Sequence, residues 1–408
     1  MLVTLVPLFD EYMVIRAYSL FTQKSNFFLQ PSLLGTGHLD GAGRVDGLEV
    51  IQNMGIETLS NVNEVFVPVN NLSLFSDLQA QCDAQPDNLV LLIDHGVKPE
   101  PMYLDRIKEL KALGYRFAMQ RLLVHEFQAY TEVLKLMDFV FLNHKKVDLQ
   151  KATIYFSKLF PNIRICAVEV DDSASYEKLK TTTSCKLFEG NFYQLPVTSG
   201  QKDVSPLKVN YIELLNIVND DDFDLTKAAD IIGRDPALTI SLLRMVNNLA
   251  VLSEITSIRH AAAMLGQKEL KKWITTAVMK ELCADKPNEI TRLTMLRAKF
   301  MENLAKPFEM AMLSQEMFML GLFSVLDVIL DQNMEEALKL VRLPKSVNEA
   351  LLYKSGKYAE VYEFMLHYEK GNWQEVSRQL ILRDIDINRI YQAYTDALIW
   401  YRKLILGK

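Results

Sequence analysis

The chain reads as two architectures in succession, an α/β barrel and then an all-helical region. Three observations predict this. Up to Pro196, short apolar runs of strand character alternate with helical stretches. Beyond Pro206 there is no convincing strand. Between them lies VTSGQKDVS, a polar stretch with Ser199 and Gly200 that has the composition of a linker. The expected domains are therefore 1–196 for the barrel, 197–206 for the linker and 207–408 for the helices.

In chain order, residues 1–8 and 13–21 read as paired strands around an Asp10-Glu11 turn. Residues 46–55 read as a helix with Leu48, Val50, Ile51 and Met54 inward. A βα rhythm follows. Strands are expected at 64–69, 88–93, 115–119, 139–142 and 164–170, with helices at 101–113, closed by Gly114, and at 126–136. Short apolar strands with helices between them imply a parallel sheet covered on both faces. Seven or eight strands in about 200 residues suit a closed barrel better than an open sheet.

In the second half, Asp224 can cap a helix and Gly233 can end it in the left-handed conformation. Asp235 followed by Pro236 restarts the chain, because a proline at the first helical position gives up an N–H that would be orphaned anyway. Leu238, Leu242, Leu243 and Val246 then form a core-facing stripe. A helix from Ser257 carries Ile258, Ala261, Ala262 and Leu265 and can close at Gly266, before a longer one with Leu270, Trp273, Ile274 and Val278. Further helices are expected at 289–305, 310–330, 334–340, 346–352, 358–369, 373–381 and 385–406. The last, with Tyr391, Tyr394, Ala397, Trp400 and Leu404, is expected to pack on its own domain.

Composition bounds the function. Of 408 residues 49% are hydrophobic and 24% charged, as in an ordinary globular protein, and the length suits two domains with separate cores. A net charge of -6 argues against broad nucleic-acid or anionic-membrane binding. Cys82, Cys166, Cys185 and Cys283 form no C-x-x-C pair and read as buried small side chains. The apolar N-terminus has no basic region and is interrupted at Asp10-Glu11, and no run reaches the ~18 apolar residues of a membrane helix. A cytoplasmic location is expected.

Several local signals have a structural reading beside a functional one. Residues 34–43 hold four glycines but lack the preceding strand and the Lys-Ser/Thr of a phosphate loop, so they read as a mobile loop. Lys268, Lys271, Lys272 and Lys280, near Arg244 and Arg259, could form a DNA-reading face. Glu269 and the Asp220-Asp221-Asp222 run dilute it, so it reads as a solvated helix face. The methionines 295, 301, 310, 312, 317 and 319 read mainly as core rather than as an adaptable partner surface.

The series Arg234-Asp235-Pro236-Ala237-Leu238, Leu242-Leu243-Arg244, Asn247, Ile255-Thr256-Ser257-Ile258-Arg259-His260-Ala261 and Leu265-Gly266 resembles the HDOD domain of bacterial signalling proteins. That family is all-helical, is related to the HD metal phosphohydrolases, lacks their metal ligands and is held to act in regulation. Where it places the remnant of the His-Asp dyad this chain has Ser324-Val325, with Asp327 alone nearby. His260 and His367 are isolated helical residues with structural roles expected.

The opening VPLFDEYMVIRAYSLF looks like the first two strands of an EAL domain. So do the segments Phe66–Asn70, Asp105–Met119, Ala167–Asp171 and Leu187–Phe192. The resemblance implies a modified barrel whose active members hydrolyse cyclic di-GMP with metal ions held by acidic and amide side chains. Here Ser19 stands where the naming motif has its glutamate, and Gln23 replaces the arginine that contacts substrate. The asparagine ligand can persist as Asn70 or Asn71. The next glutamate falls at Leu92, the paired aspartates read Gln120-Arg121, the lysine and aspartate read Phe141 and Asn143, and the later glutamate falls at Val168. Asp94, Asp171 and Glu189 do not restore the set.

The resemblance thus implies a degenerate EAL-type barrel joined to an HDOD domain: no enzyme, no catalytic residues, no metal and no cofactor. Its work is expected to be scaffolding or regulated binding of a regulatory protein partner, with weak or absent cyclic di-GMP binding and no nucleic-acid or membrane partner. The interaction surface is expected near Arg244, Asn247 and Arg259. The alternatives are a cyclic di-GMP or other nucleotide sensor without turnover, and an active cyclic di-GMP phosphodiesterase with an unusual site.

Overall fold

A computed structural model describes residues 1–23, 43–60, 64–196, 206–220, 222–249, 255 and 257–406. Residues 34–42 of the glycine-containing stretch and 197–205 of the expected linker lie outside the described residues. The chain divides into two compact units, residues 1–195 with 364–398, and residues 196–363 with 399–408.

In the first unit eight strands close into a barrel in sequence order: β1 (Leu2–Phe9), β2 (Ile15–Gln23), β3 (Val65–Pro68), β4 (Leu89–Ile93), β5 (Arg116–Gln120), β6 (Phe139–Asn143), β7 (Arg164–Val168) and β8 (Leu187–Glu189). β1 runs antiparallel to both neighbours and every other pair is parallel. The reversal follows from the β1–β2 turn. Asp10 accepts the Tyr12 and Val14 amides at 2.8 and 3.0 Å and pairs with Arg16 at 2.7 Å. Burial raises the Asp10 carboxyl, but the Val14 and Tyr12 amides and the Arg16 guanidinium outweigh it and hold the group below the ordinary carboxylate range.

The alternation of side chains along each strand fills the interior with hydrocarbon. Leu8, Ala17, Phe66, Val90, Leu92, Ala118, Phe139, Phe141, Cys166 and Leu187 form one buried cluster, with Val168 against it. Phe66 meets Phe139 edge-on at 4.9 Å and lies 5.1 Å from Phe141. Helices α1 (Asp46–Met54), α2 (Ile56–Leu59), α3 (Pro101–Ala112), α4 (Thr131–Leu134), α5 (Leu149–Leu159) and α6 (Ser173–Thr182) lie between strands. The helix expected at 126–136 shrinks to α4. Two side chains of that stretch are anchored elsewhere: the Tyr130 hydroxyl donates to the His95 carbonyl at 2.7 Å, and Phe127 packs on Tyr155 and Phe156.

The second unit is helical among its described residues: α7 (Pro206–Val218), α8 (Leu225–Ile232), α9 (Pro236–Leu249), α10 (Ile258–Leu282), α11 (Asn288–Leu304), α12 (Ser314–Phe323), α13 (Leu326–Leu330), α14 (Met334–Lys339) and α15 (Lys345–Tyr353). Asp224 caps α8 by accepting the Thr226 and Lys227 amides, and Asp235 accepts those of Ala237 and Leu238. Gly266 breaks α10 with φ 74°. Gly233 differs from expectation, ending α8 at φ -64° rather than in the left-handed region. Space is the reason for glycine there, since a Cβ would stand 3.3 Å from the Ile258 Cδ1.

The helix expected at 310–330 is broken into a 3-10 turn, Ala311–Leu313, then α12 and α13. At the break Ser324 donates to the Gly321 carbonyl at 2.7 Å and accepts from Arg297 at 3.1 Å. Gly321 lets α12 approach α11 closely, because a Cβ there would meet the Arg297 carbonyl oxygen at 2.3 Å.

Three helices complete the chain: α16 (Ala359–Glu369), α17 (Trp373–Leu382) and α18 (Ile387–Leu406). Their central part, residues 364–398, belongs to the barrel unit, so the compact units divide differently from the expected 207–408 helical body. β8 pairs with β1 only at Leu8 and Phe9, which leaves the N-terminal part of β1 without a strand on that side. The Val3 amide there donates to the Tyr368 hydroxyl at 3.3 Å, and Thr4 donates to the Glu369 carbonyl at 3.3 Å. Tyr368 is fully buried, 5.0 Å from Tyr394 and 5.3 Å from Trp373. Patterning alone could not assign this amphipathic segment to a sheet edge far away in sequence.

Tyr368→Ala should therefore destabilise the barrel by about 3–5 kcal/mol, the range for truncating a large buried aromatic. Tyr368→Phe should cost about 1 kcal/mol and selectively release the Val3 amide to hydrogen exchange. Exchange at Leu2–Leu5 that stays unchanged in both variants would show that the segment does not hold β1.

Candidate functional site

In a barrel of mostly parallel strands, the groups able to meet a ligand gather at the strand C-termini. Here the side chains of the interior and of the strand ends are mixed. Leu92, Phe141 and Val168 belong to the apolar interior. Ser19 shares the inward face of β2 with Ala17, two residues before it, and is fully buried with no hydrogen-bond partner for its Oγ. Asn70 is exposed and its Oδ1 accepts the Leu72 and Ser73 amides at 2.9 and 2.8 Å, which commits it to the turn after β3. Asn143 accepts the Lys145 amide in the same way.

The remaining charges are spread out. Asp94 accepts the Gly96 amide at 2.9 Å and lies 3.7 Å from Arg121, which is exposed at φ 64°. Lys145 and Asp171 pair at 2.5 Å with both side chains about half exposed. His144 places Nε2 2.8 Å from the Glu169 carbonyl. Glu189, at the end of β8, is half-buried, and burial, with Glu169 adding to it, pushes its carboxyl up to about 7. Among the described residues no group of three or more His, Cys, Asp and Glu is placed to hold a metal ion.

In the helical unit, the three residues expected to form a surface are placed differently from one another. Arg244 is exposed on α9. Asn247 uses both ends of its amide on one backbone, donating to the Ile255 carbonyl at 3.0 Å and accepting the Ile255 amide at 2.7 Å. It ties α9 to Ile255. Arg259 lies in the first turn of α10, and its side chain falls outside the described residues, as do residues 250–254 and Thr256.

Around Ser324 the unit has a buried polar centre that pattern reading missed. Arg297 and Ser324 are both buried and bonded to each other. Burial raises the nearby Asp327 carboxyl, while the Val328 amide, its own amide and Arg297 oppose the rise. On α11, Glu289 and Arg292 form a second buried pair at 2.7 Å. One signal was available, because Arg297 stands four residues after Leu293 and three before Phe300, on the helix's apolar face. All four cysteines are buried and free, as expected. Burial raises Cys185 and Cys283 to about 11 and Cys166 well above the ordinary thiol range, so they are poor nucleophiles. No helix among the described residues is long and apolar enough to cross a membrane.

Glu189 supplies a pH test. A carboxyl raised in the folded state costs stability as pH climbs from its unfolded value, near 4.5, through about 7, and the cost is complete above that. Glu189→Gln should raise the melting temperature at pH 8, with the gain shrinking toward pH 5. A gain equal at both pH values would mean that Glu189 is not the titrating group.

Residues 204–353 match the HDOD domain family. Over 370 residues the chain is 27% identical to YuxH of Bacillus subtilis, an uncharacterized protein, covering 87% of this chain and 88% of that one. Over 319 residues it is 25% identical to the cyclic di-GMP phosphodiesterase CdgJ of Vibrio cholerae, covering 77% and 73%. Among solved structures, the EAL enzyme Bd1971 bound to cAMP and cyclic di-GMP is similar over 47% of this chain at 11% identity and a TM-score of 0.37. The chain spans 60% of the length of Bd1971.

Proposed function

On the premise that residues 204–353 form an HDOD domain, we propose that this is a bacterial signalling protein, allied to those of cyclic di-GMP signalling, that acts by binding other proteins. The observation that carries the reading is the hydrocarbon of the barrel interior, which reaches toward the strand ends at Leu92 and Val168. Hydrolysis of a phosphodiester by metal ions needs anionic or amide oxygens converging on two cations, to activate a water and neutralise developing charge. Leu92, Phe141 and Val168 offer none, and they fill the interior where such oxygens would have to enter. Ser19 is neutral, and Asn70 has its oxygen committed to backbone amides. A metal pair does not fit this set. In the helical unit Ser324 is bonded to Arg297, a fixed cation inside the fold.

A second reading is favoured by the similarity to CdgJ, which is named as a cyclic di-GMP phosphodiesterase. In it the barrel still meets the nucleotide. The two readings separate cleanly. Full-length protein with cyclic di-GMP and magnesium or manganese should form no linear product, and calorimetry with the nucleotide should give no heat. Turnover would sink the first reading, and saturable heat without turnover would establish a sensor.

If the surface around α9 takes part in partner binding, Arg244→Glu should weaken capture of a partner from the native cell by roughly tenfold. The exposed side chain predicts an unchanged melting temperature. Equal capture by both forms would remove Arg244 from the surface.

A further inference from the structure

The helical unit contains a groove of about 320 Å³. Its walls come from the end of α7, the middle of α10, the 3-10 turn before α12, and α12 itself. The floor is apolar: Phe318 is buried beneath Lys272, whose ammonium stands 4.8 Å from the ring centroid. At the rim Met312 is 95% exposed, the most exposed of the large apolar side chains among the described residues. An unbranched thioether left in water beside an aromatic floor is suited to adaptable contact with an apolar side chain.

The charges around this floor are not balanced. Three of the lining carboxylates are already answered within the fold. Asp220 pairs with Arg342 at 2.9 Å, and Glu302 with Lys272 and Lys299 at 2.6 and 2.7 Å. Glu316 accepts from Tyr358 and Ser346 and pairs with Lys357 at 3.2 Å. Among the described residues Lys268 and Lys271 have no carboxylate partner: Lys268 is exposed, and Lys271 donates to the Asp220 carbonyl at 3.2 Å. Against these two cations stands the exposed Glu269. The wall also carries Asn219, whose Nδ2 is buried with no hydrogen-bond partner. A buried amide donor left unmet costs about 1–3 kcal/mol.

We propose that this groove docks an acidic segment of a partner protein, with an apolar side chain seated against Met312 and Phe318 and a carboxylate directed to Lys268 and Lys271. The proposal rests on the reading that the chain acts through protein contacts and assigns that role to a particular surface. It places the contact on α10 and α12 rather than on the exposed α9 position of Arg244.

The test uses full-length protein and a fluorescent short peptide of alternating Glu and Leu, beside its Lys-Leu counterpart, read by anisotropy. The acidic peptide should bind at least about tenfold tighter than the basic one, and its affinity should fall with added salt. Lys268→Glu, at an exposed position that leaves the fold intact, should weaken it by roughly tenfold, and Met312→Ser by a few fold. Equal binding of the two peptides, or affinity unmoved by both variants, overturns the proposal, as does a preference for single-stranded DNA over the acidic peptide. A parallel capture from the native cell separates this failure from that of the broader reading. A partner retained equally by wild type and Lys268→Glu defeats the groove alone, and a chain that retains no specific partner defeats both.

Discussion

The barrel depends first on the filling of its interior by apolar side chains. Phe66, Phe139 and Phe141 interlock at ring separations near 5 Å, and Leu92 and Val168 extend the same hydrocarbon toward the strand ends. Packing of this kind is strongly favourable, because each large side chain removed from water contributes about 1.5–3 kcal/mol. It also sets the electrostatics, since an ion entering such a medium would lose hydration with nothing to replace it. The interior thus stabilises the fold and excludes charge for one reason.

That constraint reaches the C-terminal segment. With β1 reversed and β8 short, the N-terminal part of β1 would present unpaired amides to water, a hazard for any sheet edge. The Tyr368 hydroxyl supplies a partner for the Val3 amide, and the Glu369 carbonyl accepts from the Thr4 side-chain hydroxyl beside it. The barrel is therefore completed by residues that follow the helical unit in the sequence. The helical unit has a comparable dependence on close approach: Gly321 brings α12 against α11 and leaves Ser324 and Arg297 bonded in the interior.

Much of this was legible in the sequence because it depends on local chemistry. The Asp10 turn, the caps at Asp224 and Asp235, the break at Gly266 and the strand alternation are each written within a few residues. What was not legible depends on distant partners. The 126–136 helix is curtailed by side-chain anchors at His95 and Tyr155. The long helix at 310–330 breaks where Arg297 reaches Ser324, and residues 364–398 find the barrel rather than the helices before them. Of the residues expected at a surface, Arg244 is exposed, whereas Asn247 is spent on the Ile255 backbone. The groove between α10 and α12 was hidden because its lysines read as a solvated face and Met312 as core, and only the fold separates answered charges from unanswered ones.

On the proposed reading, this barrel offers hydrocarbon where a metal pair would need oxygen. Titrating the full-length chain with manganese in a calorimeter tests it most directly. The account predicts no saturable heat above that of the dispersed surface carboxylates, and no change on Glu189→Gln. Stoichiometric, tight uptake of two ions that Glu189→Gln abolishes would contradict it.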